Sequence, residues 1–486
     1  MLFNSHFFIF VFLPLSVAGY FVLNRFTRPR YAQYFLLVMN LWFYAANDLR
    51  SVPVLLASIV LNYLIGTSIL SSPYRRTKTA LLVCGVLCNV LALGIFKYLN
   101  FFLQNVSLVL GQSYDPIQLL LPLGISFFTF QQISYLVDAR RGDAPSYSLS
   151  EYALFASFFP YVTSGPIAFH SEILPQIRDE DKRRPSAYNL SRGLTAFAFG
   201  LFKKVLIADT LGKAADWGWG NLSDLNLPAA LIVIVAYTLQ LYFDFAGYSD
   251  MASGIALCFN IELPINFDSP YRARSIADFW KRWHMTMTRF FTRYLYIPLG
   301  GNRHGLARTC LNTLVIFLVS GLWHGAAWTF IFWGALHGLA MVGSRLLASR
   351  TDRHLPYPLG WLITFAFVNL CWVFFRAPSF ADAGTLLSRL FVGGWGALPS
   401  GLTDCFLITE FASIEQFVPM EATVFGTVIC VLFLLLALAG AVFPRNMQRR
   451  LENFQPSVPL CLGSSVLLFW SILSLTGVST FLYFTF

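Results

Sequence analysis

The sequence predicts an all-α, polytopic integral membrane protein, and three observations carry that prediction. Only 12% of its 486 residues are charged, while 56% are hydrophobic. A water-facing domain carries about 25% charged residues, because its surface must be hydrated. Mean hydropathy is +0.61, so lipid is the solvent for most of this surface. Aromatic residues reach 17%, with 49 Phe, 21 Tyr and 12 Trp, a supply suited to lipid faces and interfacial belts. These numbers argue against a large soluble helical enzyme. The net charge of +10 does not point to nucleic acid. The Lys and Arg residues sit in short loops between apolar runs, as cytoplasmic membrane loops do.

Taken in order, apolar runs fall near 5–23, 32–46, 52–71, 79–103 and 117–137. Some are shorter than the roughly 20 residues a full crossing needs. The first lacks a basic segment before it and a small-x-small site after it, so it reads as a membrane helix and not a cleaved signal. Arg25, Arg28 and Arg30 follow the first run, Arg75, Arg76 and Lys78 the third, and Arg140 and Arg141 the fifth. Asp48 with Arg50, and Asp115, follow the second and fourth. Basic loops after odd-numbered runs place the N-terminus outside and those loops in the cytoplasm.

The stretch from Ser171 to Arg192 is the longest polar segment and reads as a solvated cytoplasmic loop. Further apolar runs lie near 192–211, 228–259, 310–323, 326–347, 359–375, 423–443 and 459–484. Arg345, Arg350 and Arg353 mark one more cytoplasmic turn, and Arg445, Arg449 and Arg450 another. Residues 377–422 are acidic, which fits the outside. The expected total is about eleven crossings plus short and interfacial helices. No polar stretch approaches the roughly 50 residues of an independent domain, so residues 1–486 read as a single membrane domain.

The eight Cys residues are scattered, with no CxxC and no Cys/His cluster at zinc spacing, so no metal is expected. No phosphate loop, dinucleotide fingerprint, elbow serine or HExxH occurs. Histidine is rare, and three of the seven stand out. His324 closes an apolar run that begins near Cys310. At 1.5 Å per residue, roughly 20 Å of helix precedes it. An ionisable side chain that deep is a functional candidate by default. Gly321 and Gly325 flank it and permit close approach, while Trp323 and Trp328 supply apolar walls. A buried structural histidine is the plain alternative.

His284 falls inside a helical pattern over 276–294. Ile276, Phe279, Trp280, Trp283, Met287, Phe290, Phe291 and Tyr294 share one face, and Lys281, Arg282, Arg289 and Arg293 the other. Ser275 and Asp278 have capping-box spacing. The pattern predicts an interfacial helix with a basic cytoplasmic face, with His284 at the edge of its apolar side. His337 lies on the next helix and can meet His324 only through a bend near Gly325; packing is as good a reading of it as a direct role. Ser126, Thr129, Gln131 and Gln132 need partners in the bundle interior. Asp244 and Asp250 need cationic partners or a wet cavity.

Several segments together resemble a known family. They are PLGISFFTFQQISYLVD at 122–138, QLYFDFAGYSDMASG at 240–254, ADFWKRWHMTMTRFF at 277–291, YIPLGGNR at 296–303, SGLWHGAAWTFIFWGALHG at 320–338 and the terminal FLYFTF. In that order they resemble the membrane-bound O-acyltransferase family, in its bacterial polysaccharide O-acetylation branch, of which alginate acetylation is the nearest example. The resemblance implies a ring of tilted helices around a central tunnel. It implies His324 and His284 as the catalytic histidines, with His337, Asp244 and Trp323 as supporting candidates. It further implies that an acetyl group passes from a cytoplasmic thioester, acetyl-CoA or an acyl carrier, to an extracytoplasmic polysaccharide. The transfer it implies is direct or through a partner O-acetyltransferase, from the bacterial inner membrane, with no tightly bound cofactor. Lys281, Arg282 and Arg289 would attract the donor's phosphates, or equally lipid headgroups. Gly165-Pro166 keeps the family pattern, but Ala168-Phe169-His170 departs from it and carries no role. A transporter would show inverted repeats and broken helix pairs, which this sequence lacks; a scaffold would be indifferent to loss of His324.

Overall fold

The computed structural model describes residues 1–350, 355–415, 417–475 and 479–482. Arg353 and His354, and Tyr483 to Phe486 of the terminal motif, lie outside the described residues. The described chain is helical throughout its regular structure. Among the described residues, eight helices are long and apolar enough to cross a membrane. They include α1 (Phe8–Phe26), α3 (Val52–Ser71) and α4 (Arg75–Leu110) in the first third of the chain. Between and after them lie α2 (Pro29–Ala45) and α5 (Ile125–Arg141), each of 17 residues. The protein is therefore a multi-pass membrane protein.

Next come the short helices α6 (Leu149–Ser157) and α7 (His170–Arg178), then α8 (Ala187–Phe202), α9 (Asp209–Gly220) and the 32-residue α10 (Leu227–Cys258). Two broken pieces, α11 (Ile276–Trp280) and α12 (Met285–Phe291), precede α13 (Gly305–His324) and α14 (Trp328–Ala348). The chain continues through α15 (Tyr357–Arg376), α16 (Phe380–Val392), α17 (Ala422–Val442) and α18 (Val458–Leu473).

Burial separates these helices into roles. In the apolar window of α10, 83% of residues are buried, against 17% for α4. The first is the protein's central post; the second presents most of its surface to lipid. α8 packs on α10 through paired glycines. A Cβ on Gly193 would lie 2.6 Å from the Gly254 carbonyl, and one on Gly200 2.6 Å from that of Gly247. Small residues seven apart on both helices thus let the backbones touch, the usual route to tight helix packing in lipid.

Three expectations need correction. The run at 117–137 is helical only from Ile125, because Pro122 and Gly124 occupy a turn. The segment 171–192 is not one solvated loop: Ile173, Leu174 and Ile177 of α7 are buried, and α8 starts at Ala187. The run at 459–484 does not cross as one helix. α18 ends at Leu473, and residues 479–482 return into the interior, where Phe481 is buried.

That return is held by charge. Lys204 Nζ lies 2.6 Å from Asp244 and 2.9 Å from Asp209, and donates to the Thr480 carbonyl at 2.9 Å. Asp244 accepts from the Leu482 amide at 3.0 Å. Lys203 pairs with Asp250 at 2.6 Å. The cationic partners that Asp244 and Asp250 require are therefore present, supplied by a π-helical turn at Lys203–Ala208. Similarly, Gln132 bonds Ser58 and Tyr152.

Candidate active site

α13 ends on His324 itself. Gly325 is extended, with φ −159° and ψ 150°, and the chain re-enters helix at Trp328. α13 and α14 thus form a hairpin with the bend where His324 and His337 require it. The hairpin closes tightly because two glycines face backbone. A Cβ on Gly334 would sit 2.3 Å from the Phe317 carbonyl, and one on Gly321 2.4 Å from that of Phe330.

This closure encloses the imidazole. His324 is 3% exposed, so it does not face bulk lipid. Its ring contacts Trp323 at 4.8 Å, Trp333 at 5.2 Å and Phe375 of α15 at 5.2 Å between centroids. Trp323 is a wall, as expected, stacked on Phe130 at 5.0 Å. Trp328 is not: it is exposed and bonds Asn105. Trp333 takes the place expected for it, because it sits one and a half turns into α14 and points back at the hairpin end.

His337 packs against the same indole, at 4.9 Å from Trp333. Its Nδ1 accepts from Trp280 Nε1 at 3.2 Å, which puts its proton on Nε2. The hairpin therefore brings His324 and His337 to one aromatic partner, with His337 oriented by α11.

His284 differs from its sequence-based placement. No continuous helix spans 276–294. The helix stops at Trp280 and restarts at Met285, and His284 between them has φ 43° and ψ 51°. This left-handed geometry is costly for a residue with a Cβ. Asn266 compensates. Its Oδ1 accepts from His284 Nδ1 at 3.0 Å and from Thr286 Oγ1 at 2.9 Å, and its carbonyl accepts from the Met285 amide at 2.9 Å. Asn266 is itself held by Ser249 on α10 and by Gln448. The expected capping box is half formed: Ser275 caps Asp278, but the Asp278 carboxylate turns to the Arg274 amide.

The break carries His284 off any lipid boundary and into the interior, where it is fully buried. Its ring lies 4.8 Å from Phe245, 6.1 Å from Trp323 and 6.5 Å from His324. With the Nδ1 hydrogen committed to Asn266, Nε2 is the basic nitrogen. Two imidazoles from separate elements thus lie in one buried aromatic cluster. Sequence reasoning misses Asn266, since nothing in an Asn-Phe-Asp-Ser-Pro stretch separates it from an ordinary turn.

The basic residues of this region are placed unevenly. Arg282 pairs with Asp278 at 2.8 Å. Arg289 forks onto Glu172 and stacks on Phe169 at 4.3 Å. Lys281 is exposed, and among the described residues it pairs with no carboxylate. Asp244 belongs to the ion cluster around Lys204 described above. His170 is engaged at both nitrogens, by Tyr147 at 2.9 Å and Asp138 at 3.3 Å, and Asp138 also holds Arg293. It clamps α5, α7 and the turn after α12 together.

A cavity of about 190 Å³ lies beside the residues that surround the histidines. Ser320, one turn before His324, and Trp280, the partner of His337, line it, with Met287 and Phe317. Tyr296 and Arg345, hydrogen-bonded to each other at 3.1 Å, line it as well.

Comparison with known proteins identifies the family. Residues 86–381 match the membrane-bound O-acyltransferase family. The chain is 43% identical over 419 residues to the peptidoglycan O-acetyltransferase of Helicobacter pylori, covering 80% of each. It is 35% identical over 435 residues to the "Probable alginate O-acetylase" of Pseudomonas aeruginosa, covering 86% of this chain and 82% of the relative. The protein of the same name from Azotobacter vinelandii is 37% identical over 402 residues, covering 81% and 79%.

Proposed function

The chain belongs to the membrane-bound O-acyltransferase family and is an acyltransferase; on that premise we propose that it moves an acetyl group from a cytoplasmic thioester, acetyl-CoA, to an extracytoplasmic glycan. The observation that carries the reading is the meeting of His284 and His324, 6.5 Å apart, in one buried aromatic chamber. The acceptor is the hydroxyl of a cell-envelope polysaccharide, reached directly or through a partner transferase. The relative of higher identity is named for peptidoglycan and those of lower identity for alginate, so peptidoglycan stands ahead of alginate as the polymer.

The chemistry follows from the side chains. A ring nitrogen of His324 takes the proton of the incoming hydroxyl as its oxygen attacks the thioester carbonyl. The carbon–sulfur bond breaks, the new ester forms, and the same proton passes to the departing thiolate. His284 has no Nε2 hydrogen to give while neutral; as an acceptor it takes an amide N–H of the donor's arm and so orients the thioester. The Trp323, Trp333 and Phe375 walls exclude water that would hydrolyse the thioester. The cavity lined by Arg345, Tyr296 and Ser320 suits the donor's thioester arm, with Arg345 and the exposed Lys281 available to its phosphates. The N-terminus is outside and the basic loops inside in this reading, in the bacterial inner membrane.

The test is purified protein in nanodiscs with radiolabelled acetyl-CoA and either soluble peptidoglycan fragments or alginate. Label should reach a glycan with wild type and not with His324→Ala. Full transfer by His324→Ala, or vesicle uptake of a solute without transfer, overturns the reading.

A further inference from the structure

We propose that Lys97 is a positioning residue for the transfer reaction, holding in register the helix end that carries His324. The proposal rests on the reading of His324 as the proton acceptor. Lys97 lies on α4, in a π-helical turn at Gly94–Tyr98. Such widened turns are uncommon and often mark functional positions. The turn presents Lys97 and Tyr98 to the C-terminus of α13.

An α-helix leaves its last four carbonyls without intrahelical partners. At α13 these belong to residues 321–324, and each is accounted for. The Gly321 carbonyl takes the Gly325 amide at a long 3.4 Å. The Leu322 carbonyl accepts from the Tyr98 hydroxyl at 2.8 Å. The carbonyls of Trp323 and His324 accept from Lys97 Nζ at 2.7 and 3.1 Å. Two adjacent residues of one distant helix therefore cap the end that presents the imidazole. Because Gly325 is extended and the chain reverses there, α13 supplies no further turn to cover these groups itself.

The ammonium has three hydrogens. Two go to carbonyls, and the third points to Ser126 Oγ at 3.5 Å. The cation also lies 6.0 Å from the Trp323 ring. With its donors committed to protein, Lys97 does not touch substrate, and its role is positional. A cation is also the favoured charge at a helix C-terminus, where the carbonyl dipoles converge. Lysine within an apolar run is otherwise costly in a membrane, which is why one is found where these carbonyls need covering. A displacement of about 1 Å at a reacting group lowers rate by about a hundredfold, so a frayed helix end would be felt in the chemical step.

The experiment compares Lys97→Met, Lys97→Arg, Tyr98→Phe and His324→Ala in the full-length protein in nanodiscs, each with a thermal melt and acetyl-transfer kinetics. Lys97→Met should lower kcat by about tenfold to a hundredfold with KM for acetyl-CoA unchanged within twofold. Lys97→Arg, which keeps charge and donors, should recover most of the loss. Wild-type kcat in Lys97→Met while His324→Ala is inactive overturns the proposal, as does a loss that arginine does not restore. Activity retained by His324→Ala instead removes the reading of His324 itself. If Lys97→Met does not fold, Tyr98→Phe decides: a severalfold lower kcat supports the tether, and an unchanged one overturns it.

Discussion

Replacing Asn266 by alanine should slow the enzyme while leaving the aromatic cluster in place. The asparagine accepts from His284 Nδ1 at 3.0 Å and from Thr286 at 2.9 Å, and donates to Ser249 at 3.2 Å. His284 sits at φ 43°, a backbone state that costs about 1–3 kcal/mol when nothing holds it. Of the three side-chain bonds lost, the one that anchors the His284 imidazole costs about 1–3 kcal/mol more. Part of this is recovered as the segment relaxes, leaving about 2 kcal/mol against the reactive pose, or about thirtyfold in kcat. Acetyl transfer from radiolabelled acetyl-CoA in nanodiscs reads this directly, with a thermal melt to exclude global unfolding. An Asn266→Ala rate within threefold of wild type, alongside an inactive His284→Ala, would refute the argument that Asn266 sets the imidazole.

Other expectations follow from packing and charge. Gly334→Ala forces a Cβ to 2.3 Å from the Phe317 carbonyl, so it should destabilise the hairpin by about 1–3 kcal/mol, whereas Gly343→Ala on the same helix meets nothing and should leave the melt unchanged. Lys204→Met strands Asp244, which is 2% exposed, and should cost about 3–5 kcal/mol in denaturant titrations; adding Asp244→Asn should recover part of it. Glu151 is hydrogen-bonded to Arg178, and this, aided by the Ser148 amide, holds its carboxyl down at about 2. A depressed folded value means the contribution is whole above the ordinary glutamate value near 4.5 and is lost as pH falls from there toward about 2. Melts of wild type and Glu151→Gln should therefore differ at pH 6 and converge as the medium is acidified through that window.

How far the fold could be read beforehand depends on whether the signal was local. The helices at 52–71, 326–347 and 423–443 are bounded almost where their apolar runs end, because in lipid the backbone must satisfy itself within each segment. His324 was legible for the same reason, as an ionisable group in an apolar run. By that rule Lys97, within the run at 79–103, is equally legible. The break at His284 was not legible. Residues 276–294 satisfy a helical period, and their apolar side chains are buried either way. What breaks the helix is Asn266, 18 residues earlier in the chain, through backbone and side-chain bonds that no local pattern records. The inward return of residues 479–482 was hidden likewise, since their partners Asp244 and Lys204 are more than 200 residues away.

The two histidines are thus set by different devices, yet they face one another across one chamber. His324 is fixed by its hairpin and by a cap from α4; His284 is fixed by a loop strapped to α10. Independent anchoring with a shared target makes a specific claim about coupling. If the rings act on one proton, removing either should forfeit nearly the whole catalytic effect, because groups that work as a unit are not additive. His284→Ala with His324→Ala should then be no slower than the slower single variant. If instead each ring contributes separately, the losses multiply, and the double variant falls below either one by the product of the two factors. Single-turnover acetyl transfer by the three variants distinguishes these outcomes. A multiplicative loss would show that the 6.5 Å approach of the rings is proximity without cooperation.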